Sequence, residues 1–324
     1  KRLMVLSGTN AQGYLPMTVH YSLRMEKAIK LSAEVEAALK TGKPVVALES
    51  TIISHGLPRP SNLEVALECE HIVRDAGAVP ATIALLDGKI LVGLERPELE
   101  AIANRDDISK ASIRDLAIIV AQGKSAATTV AATAHIAALA GIHIFATGGL
   151  GGVHRGANES FDESADLTAL ANVNMTMICA GVKSILDVPA TLERLETLAI
   201  TLVGYKTNAF PGFYLTASGY TVEHRVDSPT EIAEIIRARK SVGTLSKALV
   251  VANPVEKEMD KALHDQILES GLQKAEKEGI TGKLVTPFLL EYFHTTSNGE
   301  SLAINTEIIK SNCLLAAQIA VALR

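Results

Sequence analysis

The sequence predicts a single α/β domain built on a mixed β-sheet. Short apolar runs typical of buried strands, such as 45–48 and 248–252, alternate along the chain with amphipathic helical patterns. Asp87-Gly88 is a hairpin turn signal between the apolar runs 79–86 and 89–92, and a hairpin makes one strand pair antiparallel. No linker-like composition, internal repeat or low-complexity segment divides the 324 residues, so we predict one domain.

We place this domain at residues 31–324. Ser32 opens an amphipathic pattern, which predicts a first helix over 31–40. Residues 1–30 are predicted to be an N-terminal extension. Lys1, Arg2 and Arg24 occur in its first 25 residues without any acidic residue or consistent period, so a remnant of a targeting segment also stays open.

The other elements follow from the same patterns. Further strands are predicted at 142–146, 175–180 and 201–205. Helices are indicated by periodic apolar positions together with start and stop signals, and they span 61–76, 97–104, 126–139, 167–171, 192–197, 230–240, 256–278 and 302–323.

The composition favours a small-molecule ligand. The chain is 48% hydrophobic with no tryptophan and 4% aromatic residues, so its core must be aliphatic. A net charge of −5, without a basic run interleaved with aromatic residues, argues against a nucleic-acid surface. No apolar run reaches the roughly 18 residues of a membrane span. Cys69, Cys179 and Cys313 are isolated, which predicts neither a disulfide framework nor a zinc site and favours the reducing cytoplasm.

A carboxylate follows the first buried strand. The run 45–48 ends at Glu49, and open α/β sheets bind ligands at the carboxyl ends of their strands. Glu49 is therefore a candidate acid catalyst, with local capping or pairing as the alternative. His55 lies in the turn-rich loop 52–60, where it could orient Glu49 or a substrate, or be solvated.

A glycine-rich loop follows the strand 142–146. Five glycines lie within the nine residues 148–156. Glycine permits positive φ and a close approach of backbone N–H groups, and phosphate is the usual ligand of such a loop; a series of tight turns is the alternative. The spacing matches neither the P-loop nor the G-x-G-x-x-G dinucleotide pattern. His154 and Arg155 add cationic donors, and three acidic side chains that could hold a divalent ion or a sugar follow: Asp162, Glu163 and Asp166.

Two lysines are candidates for binding or catalysis. Lys183 follows the strand 175–180 and has apolar neighbours, so its amine is a candidate nucleophile toward carbon; pairing with Asp187 is the alternative. Lys110 lies in a polar run beside an apolar one, where it could reach an anionic group or be solvated. The aromatic segment 210–214 either walls a planar ligand or forms a packing corner.

A family resemblance rests on five segments that occur in a fixed order. They are 46–56 (VALESTIISHG), 146–156 (ATGGLGGVHRG), 164–167 (SADL), 180–187 (AGVKSILD) and 286–290 (TPFLL). In these segments the sequence resembles the pseudouridine-5′-phosphate glycosidase family, also called the indigoidine synthase A family. The resemblance extends from about Leu31 to the C-terminus, and long motifs in the right order make it specific.

The resemblance implies an enzyme, a pseudouridylate synthase of the carbon–oxygen lyase class, that reversibly converts pseudouridine 5′-phosphate and water to uracil and ribose 5-phosphate. It also implies an α/β/α sandwich, one divalent metal per subunit, typically Mn²⁺, and a homotrimer. Glu49 matches the family's proton donor, Lys183 its covalent nucleophile and Asp162 its metal position. The substrate positions are matched by Lys110, Val130, Thr147, Ser164, Ala165, Asp166 and Asn305, the last on the uracil side.

The chemistry of that reaction calls for these residue types. The bond between ribose C1′ and uracil C5 joins carbon to carbon, so protonating a leaving heteroatom cannot break it as in an ordinary glycosidase. The resemblance implies that Glu49 helps to open the ribose ring and that Lys183 bonds to C1′. An imine-type intermediate then forms as uracil departs.

The sequence departs from the family in three places. Gly212 stands where alanine is usual, the segment 253–256 lacks the proline that often follows it, and Glu163 stands where an apolar residue is more frequent. Two other functions stay open: a lysine-dependent aldolase-type lyase acting on another sugar phosphate, and a non-catalytic sugar-phosphate-binding protein. The joint presence of Glu49, Asp162 and Lys183 disfavours the second.

Overall fold

The computed structural model describes residues 29–281 and 284–324. The predicted N-terminal extension, residues 1–30, lies outside the described residues except for Ile29 and Lys30. These two residues begin the first strand, which pairs in parallel with residues 90–92. The domain boundary predicted at residue 31 is therefore preceded by two residues that belong to the sheet.

The described residues form one mixed sheet. Its strands are β1 (Ile29–Leu31), β2 (Val45–Leu48), β3 (Val79–Leu86), β4 (Lys89–Val92), β5 (Ser109–Ala111), β6 (Ala126–Thr128), β7 (Ile144–Ala146), β8 (Thr176–Cys179), β9 (Thr201–Tyr205), β10 (Arg225–Val226) and β11 (Leu249–Ala252). The order is β1-β4-β3-β2-β7-β8-β11-β9-β10, with β6 on β3 and β5 on β6. Only the pairs of β3 with β4 and with β6 are antiparallel among these strands.

Helices cover both faces of the sheet. They are α1 (Ala33–Thr41), α2 (Ser61–Asp75), α3 (Arg96–Asn104), α4 (Ile113–Ala121), α5 (Val130–Leu139), α6 (Ala157–Ser160), α7 (Ala165–Leu170), α8 (Val188–Thr197), α9 (Pro229–Ser241), α10 (Lys261–Lys277), α11 (Val285–Thr296) and α12 (Glu300–Ala322). None of the described helices is both long and apolar enough to cross a membrane.

Alternating side chains divide the core into two apolar layers. In β2, Val45 and Ala47 join one cluster of buried residues, and Val46 and Leu48 join the other. The first cluster includes residues of α5 and α7, and the second includes residues of α2 and α12. Because successive residues of a strand point to opposite faces, each layer is built from one face of the sheet. The predicted α/β/α sandwich with a mixed sheet is confirmed.

The predicted hairpin is present. β3 and β4 pair in an antiparallel register that includes Leu86 with Lys89. Asp87 and Gly88 both have positive φ, at 49° and 75°. Two consecutive residues with positive φ are the signature of the tight turn that matches the twist of paired strands.

Some predicted boundaries are wrong. The helix predicted from residue 126 begins at Val130, with the Thr129 hydroxyl accepting from the backbone N–H of Ala132. Residues 126–128 instead pair with β3 and β5, and this tertiary pairing overrides the helical preference of alanine. Likewise, the helix predicted from residue 256 begins at Lys261 with Asp260 as its cap, and the loop predicted over 52–60 contains a π-helical turn at Ile52–Gly56.

The stability of the sheet depends on its most highly paired strand. Ile83 is fully buried on β3, whereas Ile118 on α4 is 56% exposed. We expect Ile83→Ala to lower the unfolding free energy by about 2–5 kcal/mol through lost burial and an unfilled cavity. Ile118→Ala should change it by less than about 0.5 kcal/mol. Urea midpoints of both variants test this, and equal losses would contradict the placement of β3 in the core.

Candidate active site

The site lies where four neighbouring parallel strands end. Glu49 follows β2, Thr147 follows β7, Ala180 follows β8 and Asn253 follows β11. These strands are adjacent in the order β2-β7-β8-β11 and run parallel, so their carboxyl ends meet at one edge of the sheet. This is the edge at which open α/β sheets bind ligands.

Two adjoining cavities open at this edge. The main cleft, of about 420 Å³, brings together most of the predicted site residues: Glu49, Lys110, Val130, Asp162, Ser164, Ala165, Asp166 and Lys183. The inner pocket, of about 60 Å³, is lined by Asn305, His55, Phe213, Gly148 and Gly149. Glu49, Lys110 and Lys183 line both cavities and therefore mark the boundary between them.

Glu49 is a buried carboxyl group with one close donor. Only 9% of the residue is exposed, and the Thr147 hydroxyl donates a hydrogen bond to its Oε1. Burial raises the pKa of Glu49, while Lys183 and the Thr147 hydrogen bond act in the opposite direction. A carboxyl group placed between these influences is suited to hold a proton and to deliver it.

Lys183 is fixed by backbone pairing with the glycine loop. Its N–H donates to the Leu150 carbonyl at 3.1 Å, and the Leu150 N–H donates to the Gly181 carbonyl at 2.9 Å. The side chain is half-buried and faces both cavities. Asp187, the alternative partner considered from the sequence, instead accepts from the Ala190 N–H at the start of α8.

The glycine loop differs from the expectation of positive φ. Among Gly148, Gly149, Gly151, Gly152 and Gly156, all described, only Gly156 has positive φ. Gly149, Gly151 and Gly152 are required for close packing, whereas a Cβ at Gly148 would make only ordinary contacts, 3.6 Å from Asn305 and 3.8 Å from Phe213. At position 149 an added Cβ would lie 2.7 Å from the Phe213 ring. At position 151 it would lie 2.4 Å from the Ser164 hydroxyl, and at position 152 it would lie 2.3 Å from the Thr191 hydroxyl.

Several N–H groups of this loop already bind the protein. The Gly151 N–H donates to Asp166 at 3.0 Å, and the Val153 N–H donates to the Thr191 hydroxyl at 2.9 Å. The His154 N–H donates to the Asp162 carbonyl at 3.0 Å. The loop therefore acts mainly as a tightly packed wall, and a phosphate cradle formed by all of its N–H groups is excluded.

Asp166 connects two parts of the main cleft. Its Oδ1 accepts from the Ala131 N–H and its Oδ2 accepts from the Gly151 N–H, both at 3.0 Å. The Ser164 hydroxyl caps α7 by accepting from the Asp166 N–H. The predicted positions Val130, Ser164 and Asp166 are thus held together at the beginnings of α5 and α7.

Asp162 offers an oxygen ligand at the rim of the main cleft. Its side chain is 36% exposed, and its Oδ2 lies 4.0 Å from His154 Nδ1. The pKa of His154 is lowered, mainly by burial and also by the nearby lysines Lys110 and Lys183. Asp162 alone acts in the opposite direction and raises it. Glu163, one of the acidic candidates, is instead paired with Arg194 at 3.0 Å.

A metal site made only of side chains is not present in the described ranges. No three His, Cys, Asp or Glu residues converge there as ligands. Mn²⁺ and Mg²⁺ prefer oxygen ligands, and Mg²⁺ typically uses one or two carboxylates together with waters and substrate phosphate. Asp162 beside a phosphate-sized cleft fits such a hydrated ion, whereas it does not fit a closed structural site.

Three residues that the sequence raised as candidates line the cavities: His154 lines the main cleft, and His55 and Phe213 line the inner pocket. Thr51 and Thr286, which the sequence did not single out, line both cavities. Phe213 comes from the aromatic segment that was expected either to wall a planar ligand or to form a packing corner. Its ring lines the inner pocket, while neighbouring Tyr214 stacks on Phe293 in the core. Burial lowers the pKa of His55, opposed by hydrogen bonding to the Ser109 backbone.

Relatives and solved structures resemble this chain over nearly its whole length. A family model described as indigoidine synthase A like protein matches residues 34–322. A pseudouridine-5′-phosphate glycosidase of Salinispora tropica is 57% identical, covering 91% of this chain and 91% of its own length. The protein of that name from Caldanaerobacter subterraneus subsp. tengcongensis is 50% identical, covering 92% and 98%.

Two solved structures share the fold. A prealnumycin C-glycosynthase in complex with ribulose 5-phosphate has a TM-score of 0.84 at 34% identity, covering 92% of this chain and 97% of its own. An indigoidine synthase A-like protein from Thermotoga maritima has a TM-score of 0.82 at 42% identity, covering 91% and 96%.

The raised pKa of Glu49 gives a stability prediction. Above the ordinary pKa of a glutamate, the folded protein retains a proton that the unfolded chain has released, so the unfolding free energy falls as pH rises. Glu49→Gln lacks this ionisation. The difference between the melting temperature of Glu49→Gln and that of the unsubstituted protein should therefore shift in favour of the variant, by roughly 2–4 °C, between about pH 5 and about pH 8. Melting curves at several pH values test this; a constant difference would show that burial does not favour the protonated carboxyl.

Proposed function

This chain belongs to the indigoidine synthase A-like family of enzymes, and from that premise we propose that it cleaves the C–C glycosidic bond of pseudouridine 5′-phosphate. The products are uracil and ribose 5-phosphate, and the reaction is reversible. The observation that carries this proposal is the shared position of Glu49 and Lys183, which line both the main cleft and the inner pocket. A substrate whose scissile bond spans the two cavities would meet an acid and an amine at that bond.

The two cavities suit the two halves of this substrate. The main cleft has room and charged side chains for a ribose phosphate, including Lys110 and Lys183. The inner pocket is smaller, and it combines the flat Phe213 ring with the amide of Asn305, which is 4% exposed. An aromatic face and an amide match a planar base with N–H donors and carbonyl acceptors.

The roles of the two reacting side chains follow from the bond to be broken. Glu49 delivers a proton to the ring oxygen O4′ as the C1′–O4′ bond breaks and the ribose ring opens. The Lys183 amine then bonds to C1′ and releases a proton. Cleavage of the C1′–C5 bond leaves an imine at Lys183 and uracil that takes up a proton at C5. Water then hydrolyses the imine to release ribose 5-phosphate. Contacts to the phosphate hold C1′ beside the amine, which makes the attack effectively intramolecular.

A divalent ion completes the proposed site. Asp162 would hold a hydrated Mn²⁺ at the rim of the main cleft, with the remaining positions filled by water and substrate oxygens. When bound, the ion supplies positive charge that neutralises substrate oxygens. His154 lies beside Asp162, and both side chains line the main cleft.

The proposal extends to assembly and location. We propose a homotrimer, as the family resemblance implies. We also propose a cytoplasmic location, since Cys69, Cys179 and Cys313 are buried free thiols. Such thiols persist most readily in a reducing compartment.

Substitution of the two reacting residues tests the mechanism. With pseudouridine 5′-phosphate and Mn²⁺, uracil release should be abolished in Lys183→Ala and reduced by about 10²–10⁴-fold in Glu49→Ala. Lys240→Ala, which removes an exposed lysine of α9, is the matched control. Borohydride should add the mass of the reduced sugar phosphate at Lys183. An aldolase-type lyase would instead be trapped by another sugar phosphate and would release no uracil.

Substitution of Asp162 tests the metal. Asp162→Asn should raise the Mn²⁺ concentration for half-maximal activity by about 10- to 100-fold, because the ion loses a charged ligand. Glu159→Gln changes an exposed acid of the neighbouring short helix α6 and should leave this Mn²⁺ concentration unaltered. Titration calorimetry with Mn²⁺ in the absence of substrate gives an independent measurement. Equal Mn²⁺ affinities in all three proteins would remove Asp162 from the metal site.

A further inference from the structure

A buried asparagine on α12 contacts the end of β7. Asn312 is 1% exposed, and its Nδ2 donates to the Thr147 carbonyl at 2.7 Å, with the Gly148 carbonyl 3.4 Å away. Its Oδ1 accepts from Asn253 Nδ2 at 2.9 Å. The orientation of the Asn312 amide is therefore determined, because only the NH₂ group can donate to two carbonyl oxygens.

Asn312 and Asn253 together join two strand ends. Thr147 follows β7, and Asn253 follows β11 and donates its own N–H to the Cys179 carbonyl at the end of β8. Asn312 on α12 thus links the carboxyl ends of β7 and β11, and the backbone N–H of Asn253 connects β11 to β8. The bond to Thr147 is costly to break, since Thr147 is fully buried and its carbonyl would lose this donor.

Thr147 is fixed by hydrogen bonds of both its backbone and its side chain. Asn312 binds its backbone carbonyl, and its hydroxyl donates to the Glu49 carboxyl. Asn312 itself lines neither the main cleft nor the inner pocket, but a separate outer cleft of about 700 Å³ that it shares with Asn253. The carbonyls of Thr147 and Gly148 are the contacts through which Asn312 directly reaches residues beside Glu49 and the inner pocket.

We propose that Asn312 is a positioning residue that fixes the Thr147 backbone and thereby keeps the Thr147 hydroxyl on the Glu49 carboxyl. This inference rests on the proposed role of Glu49 as the proton donor. Loss of Asn312 lets the end of β7 shift, and the hydroxyl then no longer reaches Glu49 in the orientation that the hydrogen bond requires. The effect appears in the delivery of the proton, hence in kcat, more than in substrate binding.

The charged groups around Glu49 determine how loss of the Thr147 hydrogen bond would appear in the pH–rate profile. The charged groups that act on its carboxyl are Lys183, Asp166 and Lys110, from three different segments, and the Thr147 hydrogen bond lowers its pKa. Losing that bond lets the pKa of Glu49 rise further. Because an acid catalyst works in its protonated form, the alkaline limb of the pH–rate profile should move to higher pH.

A double-mutant cycle tests the proposal. Asn312→Ala should lower kcat for uracil release by about 10- to 100-fold with little change in KM, as removal of a side chain that orients a reacting group typically does. Thr147→Val should lower kcat at least as much. The double variant should be no slower than Thr147→Val, because both changes remove the same interaction. Both single variants should shift the alkaline limb to higher pH.

Two further variants separate positioning from stability. Asn62 is a matched control, since it is also 1% exposed and donates to the Ile53 and Ala103 carbonyls, both at 2.9 Å. Asn62→Ala should lower the melting temperature as Asn312→Ala does but leave the alkaline limb in place. If Asn312→Ala does not fold, Asn253→Ala removes one support of Asn312 and should shift the limb in the same direction by less.

Different results would contradict the proposal about Asn312 and the proposed glycosidase function. Additive losses in the double variant, or an alkaline limb that moves in neither Asn312→Ala nor Asn253→Ala, would show that Asn312 is only structural. No uracil release by the unsubstituted protein would instead defeat the proposed function. Isotope-edited infrared titration of the Glu49 carboxyl then still decides the inference: a higher pKa in Asn312→Ala supports it, and an unchanged pKa refutes it.

Discussion

The hydrogen bond from Thr147 to the buried carboxyl of Glu49 is the interaction on which the site depends. Burial favours the protonated acid, and the hydroxyl and nearby ammonium groups favour the ionised one. Neither influence alone makes a useful proton donor, because a fully desolvated acid keeps its proton and a fully stabilised carboxylate has none to give. The balance requires that the Thr147 hydroxyl stays in contact with Glu49 and that Lys183 stays near enough for its charge to act on the carboxyl.

Parallel strand pairing makes that contact possible. β2, β7 and β8 end at the same edge, so Glu49, Thr147 and the segment before Lys183 lie side by side although they are distant in sequence. The glycine loop then runs beside the Lys183 segment, paired to it through Leu150. Here the absence of side chains matters more than unusual backbone angles, since three neighbours fill the space that Cβ atoms would need.

Much of this arrangement could be predicted from the sequence. Apolar runs identified the strands, Asp87-Gly88 identified the hairpin, and the position of Glu49 after a strand placed it at the ligand-binding edge. Local patterns could not reveal long-range pairings. Residues 126–128 were assigned to a helix because their partners in β3 and β5 are not visible in a short window. Asn312 could not be found for the same reason, as it lies 165 positions from the Thr147 carbonyl that it binds.

The crowded glycine turn has a consequence for redesign of the enzyme. Gly149, Gly151 and Gly152 face side chains that leave no room for even one methyl group, so a library that varies this turn would consist largely of defective proteins. The opposite wall is different, because Thr286 and Leu290 of α11 line the inner pocket and are only half-buried. If the inner pocket holds the base, as we propose, new base preferences should be sought on that helix, while the turn is kept intact.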